Sequence, residues 1–220
     1  MMLASLFASI IGPISPRALF TDDRRRLSPA LALLGLALAT AASASLLVPF
    51  MRAAVDASVL PLDDGLATPV ILFNTFVLNP VGACLGALVT AVLLGTVPLV
   101  TGHESTWGRC LLVATVVGGV ETGRRLFVAG VLWLREIAGR ADPQYDVRTG
   151  LDALLVALPD LPTPVLAVSR HVGLFEAWAI LVAAAGLALA ERLPRRVAVC
   201  TAIVTSVAFN GVLVALEVLA

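Results

Sequence analysis

The sequence predicts an all-α membrane protein: a five-helix transmembrane bundle with short interfacial helices. Three observations predict it. Of 220 residues, 59% are hydrophobic and only 14% charged, with a mean hydropathy of +0.98, whereas a soluble domain carries about a quarter charged residues. The apolar residues come in blocks approaching the roughly 20 that a helix needs to cross hydrocarbon. Charged residues gather mostly in the joints between blocks, which is membrane patterning rather than one oversized core. Inside a bilayer only helices and closed barrels satisfy their own backbone.

Taken in order, residues 1–26 form a cytoplasmic or interfacial segment. Met1 to Phe20 is too short to span before Pro13 and Pro16, and its charges (Asp22, Asp23, Arg24 to Arg26) follow rather than precede the apolar run. That is the reverse of a cleavable signal peptide, so Leu3, Phe7, Ile10 and Ile11 are expected on the face of an interfacial helix. Residues 27–220 form the transmembrane domain. Its first span is Leu27 to Val48, uncharged, with Pro29 in its first turn and closed by Pro49 and Arg52.

Ala53 to Ala67 reads as an acidic loop. The apolar stretch Thr68 to Thr101 exceeds one straight span, and Asn79-Pro80 is expected to break it, because a residue before proline avoids helical geometry. Span two is then 80–100, preceded by a half-helix, Val70 to Leu78, at the interface. Span three, 110–134, carries Glu121, Arg124 and Arg125 in its middle. Each charge at a helix centre costs about 2.5 to 3.5 kcal/mol, so three cost about 9 against a return of about 4 to 7 from the apolar residues. The segment therefore needs help. Either Glu121 neutralises the arginines at i, i+3 and i, i+4, or the helix breaks at Gly118-Gly119 or Gly123 and holds the charges in a wet notch.

Arg135 to Arg170 is a polar excursion in which Leu151, Leu154, Leu155 and Leu158 recur at helical spacing and Pro159, Pro162 and Pro164 end the helix. Spans four (172–190) and five (197–219) flank the turn Glu191 to Arg196. Eight arginines fall on the side of Arg17 to Arg26, Thr101 to Arg109 and Glu191 to Arg196, against five at Arg52, Arg135, Arg140, Arg148 and Arg170. The positive-inside rule then puts the N-terminus in the cytoplasm and the C-terminus outside a multi-pass inner-membrane protein.

Several chemistries are excluded on residues. Formal net charge is zero and the arginines are scattered, which does not make a nucleic-acid surface. His103 and His171 are the only histidines and are predicted at opposite edges, and Cys84, Cys110 and Cys200 lie far apart, so no metal or cofactor set is formed. Every Asp lies outside the predicted spans, and Ser43 and Ser45 have no histidine at depth; no enzyme is expected. Intramembrane ionisable residues point to function by default, which makes Glu121, Arg124 and Arg125 the candidate site, with Asn210 the one other large polar residue at depth. Glu176 in the first turn of span four complements the helix dipole. Gly82 and Gly86, with Gly119 and Gly123, give small faces for close helix approach or association with other membrane proteins or a second copy.

One stretch carries a resemblance. Leu174-Phe175 and Trp178 (LFxxW), an apolar run reaching Gly186, a short basic turn and a last helix resemble the C-terminal half of the Yip domain family, bacterial type, and Ser15 to Phe20 (SPRxxF) resembles its short opening motif. Gly173 stands where bacterial members often carry Asp. The resemblance implies a five-span, non-enzymatic, membrane-organising or partner-binding protein. The long cytoplasmic region through which eukaryotic members engage Rab-type GTPases is not matched, so GTPase binding is not implied. The residues themselves leave an alternative open: a small transporter or channel subunit using Glu121, Arg124 and Arg125.

Overall fold

The computed structural model describes residues 28–56, 64–137, 147–155 and 162–219, and among these the regular structure is helical. The expected interfacial helix before residue 27 lies outside the described residues, as does much of the acidic loop and of the polar excursion. The long helices are α1 (Pro29–Ser45), α4 (Asn79–Val100), α5 (Trp107–Ile137), α8 (Leu174–Ala190) and α9 (Arg195–Leu219); shorter ones are α2 (Val48–Asp56), α3 (Asp64–Phe73), α6 (Asp152–Leu155) and α7 (Thr163–Arg170). An isolated antiparallel bridge joins Gly150 to Gly173.

Prolines behave differently from expectation at two places. Pro49 does not end the first apolar block; the chain turns at Leu46-Leu47 and resumes as α2, bent by 52° from α1. Pro49 sits in the first turn of α2, where its missing N–H has no helical partner to lose. Ser43 and Ser45 donate back to the Thr40 and Ala42 carbonyls at 3.0 and 2.7 Å, a pattern that bends helices. Nor does Asn79-Pro80 break the second block. Leu66–Val100 is one 35-residue helix, and the ring of Pro80 is absorbed by a widened π turn over Asn74–Leu78. That turn relieves the clash a proline makes with the carbonyl four residues earlier. The separate half-helix at 70–78 is therefore corrected to a continuous rod.

The charged helix resolves the other way as well. α5 runs unbroken for 31 residues through Gly118, Gly119 and Gly123, so the notch between two half-helices does not form. At about 1.5 Å per residue it is about 46 Å long. It lies against α1, α4 and α8, while α9 packs on α8 and α4. Cys110, Val113, Leu94, Leu187 and Ala198 share one buried cluster where these helices meet. Small residues permit the closest approach: a methyl at Gly118 would stand 2.9 Å from Leu36 Cδ2, and Leu36 is fully buried. After the prolines of the excursion a further helix forms, α7, with Pro164 in its first turn.

Leu66–Val100 and Arg195–Ala215 are long and apolar enough to cross a membrane, and the bent pair α1 and α2 adds a third if counted as one span; α8 is apolar but has 17 residues. Large apolar side chains such as Phe73, Phe76, Leu85, Leu181 and Val207 face outward. At one end the turn after α8 is tied to α5: both carboxylate oxygens of Glu191 accept from the Thr106 N–H at 3.2 Å. Burial pushes the Glu191 carboxyl above its ordinary value, against the lowering effect of that N–H and of Arg109.

Two outcomes follow. Gly118→Leu is expected to lower stability by about 1 to 3 kcal/mol through overpacking against Leu36, read as the thermal midpoint in detergent; an unchanged midpoint would show that the α1–α5 approach is looser than described. Because the Glu191 pKa is raised in the fold, its contribution is fullest below the ordinary carboxylate range and is lost as pH rises through the raised value. Glu191→Gln should flatten the pH dependence of the midpoint above pH 4.5, and parallel profiles for both proteins would contradict this.

Candidate functional site

Glu121, Arg124 and Arg125 stand on one face of α5, one turn apart, because residues three and four apart are neighbours on a helix. Arg124 grips Glu121 with both ends of its fork, Nε donating to Oε2 and Nη2 to Oε1, each at 2.7 Å. Arg125 approaches the same carboxylate only to 3.5 Å and donates from Nη1 to Asn79 Oδ1 at 3.1 Å. Arg124 Nη1 also donates to the Thr149 hydroxyl at 3.4 Å. The side chains keep 44% (Glu121), 35% (Arg124) and 25% (Arg125) of their exposure. That decides against a fully buried ion pair: the charges are open on one side.

The open side is a cavity of about 390 Å³ between α4, α5, α8 and α9. Its charged rim holds the α5 trio with Asn79, His171 and Glu176. The deeper walls are mostly apolar and small (Gly82, Ala83, Gly86 and Ala87 of α4), faced by Ile180 and Phe209, with Thr40 and Thr90 among them. Asn210 donates to Ser206 at 3.3 Å along α9. Five residues before Asn210 on α9, the Thr205 hydroxyl lines the same space with 4% exposure and no hydrogen-bond partner.

Neighbouring contacts fix the depth of the trio. The C-terminal end of α8 is level with the start of α5 through Glu191 and Thr106. The start of α8 is level with Phe127 of α5, whose ring lies 5.9 Å from that of Phe175. The 17 residues of α8 rise about 25 Å, so the trio sits about that far from the Glu191 end. The Gly150 to Gly173 bridge brings Thr149 over it.

The other expected residues separate. Phe175 and Trp178 are half-buried and pack with Val116, Val120 and Val182 between α8 and α5; Gly186 is buried further along α8. Gly82 and Gly123 have nothing within 4 Å of a built methyl and Gly86 only Phe209 at 3.9 Å. Within the chain the Gly82 and Gly86 face therefore opens space rather than seating a helix. His103 meets Thr101 at the far end, at 3.3 Å, while His171 reaches the cavity. Among the described residues no group of three or more His, Cys, Asp or Glu is placed to hold a metal ion. Sequence reading did not single out Asn79, His171 or Thr205 as site residues. The i, i+4 polar pair Ser206 and Asn210 on an otherwise apolar helix was the available signal.

No family model, curated protein or solved structure matches this chain, so the likeness to Yip-domain proteins rests on its short motifs alone.

The unequal grip on Glu121 gives a measurable order. A double-mutant cycle is expected to give a Glu121–Arg124 coupling of about 1 kcal/mol and a Glu121–Arg125 coupling well below it, both modest because the groups are partly solvated. A reversed order would mean the fork is on the wrong arginine.

Proposed function

We propose that this chain is a multi-pass integral membrane protein whose helices hold a small solute in the polar cavity on α5, as a transporter or channel subunit. The observation that carries this reading is the half-open cavity of about 390 Å³ with two arginines, two glutamates, a histidine and two asparagines on its wall. Its size lies in the range of small-molecule sites, about 300 to 1,000 Å³. A structural ion pair alone requires no such space. Ionisable residues kept wet among apolar helices are the usual mark of a substrate or ion path.

The five-span arrangement expected from sequence supplies the setting: α1, Leu66–Val100, α5, α8 and α9, with the N-terminus in the cytoplasm. The cavity mouth beside Thr149 and His171 then faces outside, on the side of Arg52, Arg135 and Arg170. A second reading is favoured by one feature. Leu66–Val100 has 35 residues, about 52 Å, against a hydrocarbon core of about 30 Å. Its outward Phe73 and Phe76 would suit a covering membrane partner, as the Yip-domain resemblance implies.

Both arms can be read by cysteine chemistry in a cysteine-free background. Gly82→Cys is expected to react with a membrane-impermeant thiol reagent added outside, and to be protected when Gly86→Leu fills the cavity. A cysteine engineered within 140–148 should label from the same side. Reaction of either from the cytoplasm alone would reverse the topology, and an unreactive Gly82→Cys would remove the open cavity. Crosslinking of Phe73→Cys to a neighbouring chain, with Gly82→Cys inert, would favour the partner reading instead.

A further inference from the structure

We infer that the occupant of this cavity is an amphipathic anion, a carboxylate or phosphate head on an apolar body. The inference rests on the solute-site reading and names its substrate class. Charge comes first. Glu121 spends both oxygens on Arg124 at 2.7 Å, and Glu176, the other carboxylate, lines the same wall. Arg125 is left with a 3.5 Å approach to Glu121 and a neutral acceptor, Asn79. Among the described residues its Nη2 amino group meets no acceptor. A guanidinium in that position lacks a planar acceptor, and a carboxylate or phosphate matches its fork.

Below the charges the walls change character. Gly82, Ala83, Gly86, Ala87, Ile180 and Phe209 offer no hydrogen bonds from their side chains. Thr40, Thr90, Thr205 and Ser206 add scattered hydroxyls to the lining, but a uniformly polar solute would still lose hydration against the apolar side chains without replacement. An apolar body loses nothing there. Thr205 offers a free hydroxyl on the same wall. Thr75, Thr96 and Thr115 each return their hydroxyl to the carbonyl four residues back at 2.7 to 2.8 Å, but Thr205 Oγ1 is unpartnered at 4% exposure and lines the cavity, as Thr201 Oγ1 is unpartnered one turn earlier and off that wall. It stands about 7.5 Å of helix rise below Asn210, within reach of a polar atom on the body or of a water beside it. The same chemistry reaches the site from two sources: a membrane lipid or a free amphipathic acid.

The test is equilibrium binding of radiolabelled decanoate to the full chain in an uncharged detergent, at concentrations below decanoate self-association. Saturable binding of one decanoate per chain is expected, displaced by decyl phosphate but not by decanol, decyltrimethylammonium or inorganic phosphate. Arg125→Gln should weaken it about tenfold or more. Gly86→Leu, which fills the cavity and leaves Arg125 in place, should abolish it, so the result does not hang on one variant. In nanodiscs, displacement by phosphatidate but not phosphatidylcholine assigns a lipid source; resistance to phosphatidate assigns a free acid, and either supports the inference. Saturable binding of decyltrimethylammonium, lost in Gly86→Leu but kept in Arg125→Gln, would overturn the anionic class while leaving the cavity as a solute site. Decanoate failing to bind a protein whose Gly82→Cys is still labelled from outside would overturn it too. An unlabelled cavity would bring down the parent reading itself.

Discussion

Three charges in the middle of one unbroken helix, with apolar runs on either side, have to be satisfied where they stand, and the arrangement around α5 follows from that. A helix cannot move Glu121, Arg124 and Arg125 apart, since its geometry fixes them one turn from each other. Neighbours must come to them. α4 brings Asn79, the chain before α8 brings Thr149 and His171, and α8 brings Glu176. Water or a ligand supplies the rest, because the trio keeps a quarter to nearly half of its exposure.

The apolar part of the molecule is arranged in complement. Near the Glu191 end the helices close tightly, with Leu94, Val113, Cys110 and Leu187 fully buried. Toward the charges the same helices leave a gap, and the small residues of α4 keep it open. A molecule closed at one end and open at the other has a built-in direction. The closed end also carries the polar tie between Glu191 and Thr106, which holds the α8 to α9 turn against the start of α5.

Sequence made the helical class and the charged trio legible because both are local. Apolar blocks near 20 residues and i, i+3, i+4 spacing can be read without knowing what lies across the fold. The i, i+3 and i, i+4 pairing of Glu121 with its arginines is found as expected. The prolines were misread because their effect depends on the preceding turn: Pro80 breaks an α-helix but is tolerated after a π turn, and nothing in Asn74–Leu78 announces one. Asn79, Thr205 and His171 belong to segments up to 126 residues apart in sequence, so their meeting is a property of packing. Gly82 and Gly86 were legible as small residues but not as the wall of a space, because a glycine marks either a close approach or a vacancy.

The π turn has a bearing on the rod that contains it. It holds one residue more than an α turn, and each residue advances a helix by about 100°. The outer stretch Asp64–Phe73 is thereby phased by that angle against Asn79–Val100. A chain shortened by one residue there would lose the π turn and set the Pro80 ring against the carbonyl four residues earlier, and Phe73 would swing around the axis while Asn79 kept its hold on Arg125. The extra residue thus works as a swivel, setting which way the outer third of the rod faces independently of the site beneath it.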